Sequence, residues 1–336
     1  MKKMKKAFSL IEVIFVLTIL GIVASISSQI IVQVYENYIT QKALYKATTK
    51  TEIAVTQIIN RLAFAIDGTT ITKRPHTSTY TVPYTETSVG TNWIKLNDID
   101  INNDDHKQFT TIEWIAYDND SFSTGQVPYW SGLGNFDLAS RDFFITPGSD
   151  LSKTATVMAN LSKDSAGNSK VNLTNNKPAG LIFSDKDNEY KTDEEYSPAC
   201  MGLVNENNTS CIFPVEIGTP LGALNDNNLT FTRSNEAKNI TERYKLAWSA
   251  YAIVPEDKDG DNLYDLYLYY NYQPWNNEKY AENNGTAIAQ RSLLINNVSV
   301  FKFTENGGVI QLKLCANETI GNDVNITSCK EKAIIR

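Results

Sequence analysis

The chain has 336 residues, 42% of them apolar, with 17 Tyr, 13 Phe and 5 Trp, so its composition excludes a disordered protein. Its net charge is −7, and basic residues cluster only in the first six positions, which argues against a nucleic-acid-binding protein. After residue 67 the sequence is rich in Asn, Asp, Thr, Ser and Tyr, as is typical of an exported, β-rich domain with many loops.

The first predicted element is a long helix that begins in an apolar run. Four lysines precede this run, which extends from Phe8 to Ala24, and they place the N-terminus in the cytoplasm by the positive-inside rule. Apolar residues then recur at helical spacing as far as Ile66, and Asp67–Gly68 is a stop signal. The segment 8–67 therefore predicts one helix about 90 Å long, and its residues 8–31 are apolar enough to cross a membrane.

The N-terminal sequence KKAFSLIEVIFVLTILGIVAS resembles the cleavage and methylation segment of type IV prepilins and type II secretion pseudopilins. In that family a short basic leader ends at a small residue, a Phe follows, and a Glu stands fifth from the new N-terminus. The resemblance implies that residues 1–7 are a leader peptide, that a prepilin peptidase cuts between Ala7 and Phe8, and that Phe8 is N-methylated. Ala7 departs from the family pattern, because the residue before the cut is usually Gly.

Glu12 is a carboxylate at the edge of the apolar run, where a lone charge in hydrocarbon costs about 3 kcal/mol. After cleavage the α-amine of Phe8 lies one helical turn away from Glu12. The resemblance implies that this amine in one subunit meets Glu12 of a neighbouring subunit during assembly. The alternative is a Glu close to the membrane surface whose charge is satisfied by water.

The resemblance implies an α+β, pilin-like fold, in which the long helix packs on a periplasmic β-rich domain of residues 68–336. It implies a minor subunit of a type IV pilus or type II secretion pseudopilus, and the helix end TEIAVTQIINRLAFAID is similar to that of J-type pseudopilins. The implied partners are other pilin subunits, the prepilin peptidase, the assembly platform and the inner-membrane lipid of a Gram-negative-type envelope. The alternative is a membrane-anchored periplasmic binding protein for calcium or carbohydrate that uses the helix only as an anchor.

Strand and turn patterns fill the remainder of the chain. Thr110–Tyr117 and the segment RDFFIT predict strands, and the Gly- and Pro-rich stretch Gly125–Asn135 predicts a loop between them. Leu246–Val254 and Leu263–Tyr272 flank eight polar residues and predict a β-hairpin. Alternate residues of its second strand are predicted to share one face: Tyr264, Leu266, Leu268, Tyr270 and Tyr272.

Four cysteines form two local pairs, with ten residues between Cys200 and Cys211 and thirteen between Cys315 and Cys329. The sequence contains no C-x-x-C and neither His is near a Cys, which argues against a zinc site. We predict two disulfides, which require an oxidising compartment; the alternative is four reduced core thiols. The polar, broken segment 160–212 around the first pair predicts a loop-rich insertion.

The predicted hairpin loop DKDGDNLYD resembles a calcium-binding loop, because alternating carboxylates on a turning backbone can surround a hard cation with oxygen. The ligands would be four carboxylates and one peptide carbonyl: Asp257, Asp259, Asp261, Asp265 and the carbonyl of Leu263. Asn262 stands where Gly is usual, and position 12 of the loop is Leu268 rather than Glu. The alternative is a solvated acidic turn.

Four N-x-S/T sites carry an acidic residue two positions earlier and resemble the extended acceptor of bacterial oligosaccharyltransferases. They are Asn208, Asn228, Asn284 and Asn325, although chance supplies such matches in a chain this rich in Asn and Thr. The two histidines, His76 and His106, stand outside any G-x-S-x-G, H-E-x-x-H or phosphate-loop context. We therefore predict a protein that is not an enzyme and whose one candidate cofactor is calcium.

Overall fold

A computed structural model of the protein describes residues 9–74, 92–100, 105–122, 128–183, 200–204, 209–219, 227–233, 240–256, 260, 263–280, 289–320 and 324–335. In chain order its helices and strands are α1 (Leu10–Leu62), β1 (Ile71–Lys73), β2 (Trp93–Lys95), α2 (Asp105–Gln108), β3 (Thr111–Ala116), α3 (Asn119–Phe122), β4 (Phe143–Ile145), α4 (Leu151–Leu161), β5 (Ala179–Phe183), β6 (Phe213–Ile217), β7 (Asn228–Phe231), β8 (Tyr244–Ala247), β9 (Ser249–Glu256), β10 (Tyr264–Tyr272), β11 (Gln290–Asn306), β12 (Val309–Ile320) and β13 (Val324–Ile335). A long apolar helix followed by a strand-rich domain confirms the predicted α+β, pilin-like architecture.

Helix α1 is 53 residues long, or about 80 Å, and confirms the predicted helix. It ends at Leu62, five residues before the stop signal at Asp67. The early end of the helix is explained by a contact with β3. The backbone N–H of Ile66 donates to the carbonyl of Ile115 in that strand at 2.8 Å. An N–H that pairs with a strand is no longer available to the helix, so tertiary pairing sets the end of α1.

The described residues form two antiparallel sheets. The first has eight strands in the order β13-β12-β11-β10-β9-β3-β1-β2. Helix α1 packs on the strands at the β13 end of this sheet. One face of this sheet forms a core with the C-terminal part of α1. The opposite face forms a second core, which the segments 200–204 and 209–212 help to cover.

The second sheet has, among the described residues, five strands in the order β4-β7-β6-β5-β8. Leu133 bridges to Arg243 beside β8, and Asn135 bridges to Ile145 of β4, so this short segment joins the two edges of the sheet. The strand β5 is buried along its full length. The predicted loop-rich insertion over 160–212 is therefore wrong at β5, because the apolar run AGLIF forms an interior strand buried on both faces.

The predicted hairpin is confirmed, since β9 and β10 pair antiparallel with Leu268 opposite Ile253. One detail of the predicted alternation is wrong, because Tyr272 does not share a face with Leu266 and Leu268. Leu266 and Leu268 face the core under α1, whereas Tyr272 lies in the core on the other side of the sheet. The register shifts before Tyr272, where Asn271 has a left-handed backbone with φ of 58°, and such a bulge turns the next side chain to the opposite face.

Both predicted disulfides are present. Cys200 pairs with Cys211, with 5.3 Å between their Cα atoms, and closes the loop that covers the second core. Cys315 and Cys329 are directly opposite each other on β12 and β13, and their Cα atoms are 4.0 Å apart. The second disulfide therefore fixes the edge strand β13 to its neighbour beside α1.

Candidate functional site: the N-terminal helix

The N-terminal half of α1 extends away from the domain. Its most apolar 18-residue window has no residue buried in the described chain, and it is long and apolar enough to cross a membrane. Large side chains such as Phe15 and Leu20 are more than 60% exposed. Apolar residues on every side of a helix suit lipid rather than a core packed on one face.

Glu12 lies in the first turn of α1, where its backbone N–H donates to the carbonyl of Ser9 at 3.0 Å. Its side chain is exposed, and among the described residues its carboxylate makes no hydrogen bond or ion pair. The pair that flanks the predicted cut, Ala7 and Phe8, lies outside the described residues. The cut, the methylation and the pairing of Glu12 with an amine therefore remain predictions.

The C-terminal part of α1 packs on the first sheet through small side chains, which let the helix backbone approach the strands closely. The buried residues lie on one face of the helix and grow larger towards its end: Ala43, Ala47, Thr51, Ala54, Val55, Ile58 and Leu62. The hydroxyl of Thr51 donates to the carbonyl of Ala47 at 2.7 Å, so this polar group is satisfied inside the contact. The helix is thus divided into a free half, residues 10–38, and a packed half, residues 43–62.

Ion pairs flank the packed half on both sides. Lys46 and Lys50 both contact Glu318 on β12, the latter at 2.9 Å from Nζ to Oε2, and Glu52 pairs with Lys330 and Lys332 on β13. Sequence reasoning missed these contacts, because their partners are more than 250 residues apart and ordinary surface charges give no signal of them.

The ion pairs change the acidity of their carboxylates. Partial burial acts to raise the pKa of Glu318, but hydrogen bonds and attraction from Lys46 and Lys50 outweigh it and hold that pKa below its ordinary value. The hydrogen bond from Lys332 likewise lowers the pKa of Glu52. Both carboxylates are therefore held in the charged form that binds the helix to the sheet.

An apolar stripe lies on the side of α1 that faces away from the domain. Ile31, Tyr38 and Tyr45 are seven residues apart and so share one helix face, and Tyr45 is 74% exposed. Ala47 follows Tyr45 by two positions, or roughly 200° around the helix, so the stripe is opposite the packed side. A row of this kind is suited to contact with another helix.

The predicted calcium loop connects β9 to β10. Three of its carboxylates, Asp257, Asp259 and Asp261, lie outside the described residues, where no metal-binding group can be assessed. Asp265 lies directly opposite Glu256 on the paired strands. In the described part of the chain no cluster of three or more His, Cys, Asp or Glu side chains could hold a metal. The calcium site therefore remains a prediction.

The glycosylation candidates fall in different environments. Asn208 and Asn284 lie outside the described residues, and Asn325 is exposed on the edge strand β13. Asn228 is 3% exposed, and its side-chain nitrogen donates to the carbonyl of Thr219 at 3.2 Å. A glycan at Asn228 would have to displace packed side chains of the folded domain.

A family model described as the prokaryotic N-terminal methylation motif matches residues 2–28. This motif is the signature of type IV pilins and pseudopilins, and the match includes Ala7, Phe8 and Glu12. Comparisons with curated proteins and with solved structures give no match for the chain. The shared feature is therefore the N-terminal segment that is processed and assembled in pilin-like proteins.

Proposed function

We propose that this pilin-like precursor is a minor subunit of a type IV pilus or a type II secretion pseudopilus. The observation that carries the proposal is the division of α1. A half with the methylation motif stands free of the domain, and a second half is clamped to the sheet by small side chains and ion pairs. Such a helix can transfer from lipid to neighbouring helices without any change in the domain that it carries.

The first turn supplies the chemistry of assembly in this proposal. Cleavage after Ala7 creates an α-amine on Phe8, and a neighbouring subunit offers the carboxylate of Glu12. Burying a single carboxylate in hydrocarbon costs about 3 kcal/mol, and an opposite charge from the neighbour offsets that cost. The exposed stripe of Ile31, Tyr38 and Tyr45 then extends the contact between helices beyond the membrane.

The domain would be periplasmic and would present surfaces to partners in the same assembly. Two disulfides support export, because they persist in an oxidising compartment. The chain is acidic and its described part has a second sheet beyond the one that holds α1. A large, low-copy subunit of this kind is suited to contacts at one end of a filament.

The mature N-terminus tests the proposal directly. Mass spectrometry of the native protein, from cells with an active prepilin peptidase, should give a chain that begins at N-methylated Phe8. A chain that retains Met1 in those cells would favour the alternative, a binding protein that uses α1 as a permanent anchor. The same cells without the peptidase provide the control.

Glu12→Ala separates membrane insertion from assembly. Insertion should be unchanged, because the apolar run is intact, whereas incorporation into filaments should fall at least about tenfold when the charge partner of the amine is lost. The matched control is Glu36→Ala, which removes an exposed carboxylate farther along the free half of α1. Equal incorporation of the Glu12 variant and the control would contradict the proposed pairing.

A further inference from the structure

A buried lysine and a buried glutamate lie side by side on adjacent strands of the first sheet. In the antiparallel pairing of β1 with β3, Lys73 is opposite Thr111 and Ile71 is opposite Glu113. Lys73 and Glu113 are therefore diagonal neighbours on the same face of the sheet. They are 3% and 2% exposed, respectively, so both side chains are removed from solvent.

The surrounding groups hold this pair in a defined arrangement. The Nζ of Lys73 contacts Oε2 of Glu113 and also donates to the carbonyl of Leu203 at 2.7 Å. The hydroxyl of Tyr272 donates to the other carboxylate oxygen, Oε1, at 2.8 Å. Tyr280 covers the amine, with its ring centroid 5.3 Å from Nζ. Each reacting group therefore has a further neighbour besides its partner.

The apolar setting favours the uncharged form of Lys73. Burial lowers the pKa of Lys73, and the adjacent carboxylate only partly opposes this effect. Transfer of one proton from Nζ to the carboxylate gives a neutral amine beside a carboxylic acid, which are the two reactants of an amide bond. Burial also raises the pKa of Tyr272, so its phenol stays protonated and continues to donate to Oε1.

We propose that Lys73 and Glu113 condense to an intramolecular amide bond between β1 and β3. The Nζ–Cδ bond forms and the Cδ–Oε2 bond breaks. Oε2 leaves as water, with the proton that it received first and a second proton from Nζ. The hydrogen bond from Tyr272 stabilises the negative charge that develops on Oε1 during the attack. The step needs no oxidant, reductant or cofactor.

The position of the bond gives it a mechanical role. β1 begins nine residues after the end of α1, so part of any force on the helix reaches β1 through residues 63–70, beside the force that the packed half of α1 passes directly to β12 and β13. β1 itself has only three residues. A covalent bond from Lys73 to Glu113 would carry that force into β3, which lies in the interior of the sheet.

Peptide mapping tests the proposal without any variant. The full-length protein, purified in detergent, is reduced, denatured and digested with trypsin. The expected product is a branched peptide that joins the segments around Lys73 and Glu113 and has lost one water, while the linear peptide 62–73 is absent. Recovery of that linear peptide without the branched product would overturn the proposal. The exposed pair of Asp150 and Lys153 is the internal control and should show no link.

Tyr272→Phe tests the mechanism while keeping the aromatic ring in the core. Loss of the donor to Oε1 should slow the condensation by about 100-fold, measured as the branched fraction at fixed times after synthesis. Condensation at the wild-type rate would overturn the role of Tyr272. Lys73→Arg keeps a positive charge but removes the amine, so a branched product in that variant would overturn the assignment of Lys73.

Discussion

The two halves of α1 show how one continuous helix serves two environments. The free half carries large apolar residues on all sides, and these side chains remain exposed up to Tyr38. The packed half begins with Ala43 and Ala47, whose small side chains allow close contact with the sheet. Side-chain size and its distribution around the helix, rather than helix propensity, separate the part that assembles from the part that stabilises the domain.

This difference means that stability and assembly should respond to different substitutions. A change in the packed half alters a core that also contains β3, β10, β12 and β13. A change in the free half alters a surface that has no contact with the described domain. The same type of substitution, made once in each half of α1, therefore tests whether only the packed half contributes to the stability of the domain.

Ile58→Ala should have the largest effect on folding. Ile58 is 1% exposed in the core beneath α1, so its truncation leaves a cavity and should lower the free energy of unfolding by about 2–5 kcal/mol. The measurement is denaturant unfolding of the full-length protein in detergent, followed by tryptophan fluorescence. The matched control is Ile19→Ala, since Ile19 is 58% exposed in the free half and should leave that free energy unchanged. Similar losses in both variants would contradict the division of the helix.

The sequence was sufficient to predict the free half of α1 and the disulfides. The run from Phe8 to Ala24 is long, apolar and flanked by lysines, so its signal is local and strong. The short spacing of Cys315 and Cys329 also favoured a local pair. The family match at residues 2–28 supports the motif that contains Glu12, whereas the pairing of Glu12 with an amine stays a prediction.

Other features depended on contacts that no local pattern reveals. The strands of the second sheet have three to five residues each, too few to show a clear period. The end of α1 is set by the bond from Ile66 to Ile115, and the face of Tyr272 is set by the left-handed Asn271. Lys73 and Glu113 meet only because β1 and β3 pair, so their burial could not be read from either segment.

Asp118→Asn should have the second largest effect, at the point where the two sheets meet. The N–H of Asp118 donates to the carbonyl of Leu246 at 2.7 Å, its own carbonyl accepts from Trp130, and its carboxylate accepts from the N–H of Ser121 at 3.1 Å. Burial raises the pKa of Asp118 from 3.8 to about 6. The folded protein therefore favours the protonated form of this carboxyl more than the unfolded chain does.

The sign of the pH dependence follows from that raised pKa. The protonated side chain contributes stability that is complete below pH 3.8 and is lost as the pH rises through about 6. Asp118→Asn mimics the neutral form, so at pH 8 it should be more stable than the wild type by about 1–3 kcal/mol, whereas the difference should vanish in acid. Unfolding measured at both pH values checks this prediction, and Asp137→Asn, at an exposed position, is the control. A variant less stable than the wild type at pH 8 would contradict it.

The ion pairs that hold the packed half should give the smallest effect. Glu318→Gln keeps the shape of the side chain but removes the attraction to Lys46 and Lys50, so the free energy of unfolding at pH 7 should fall by about 1 kcal/mol. Because the pKa of Glu318 is lowered, its contribution is present above its ordinary value of 4.5 and is lost as the pH falls through the folded pKa. The difference between variant and wild type should therefore disappear in strong acid, and also in 1 M salt. Glu331→Gln is the matched control, because Glu331 pairs with Lys313 on the same strands without touching α1. If the control lost as much stability as Glu318→Gln, the helix contact of Glu318 would not be what holds the packed half in place.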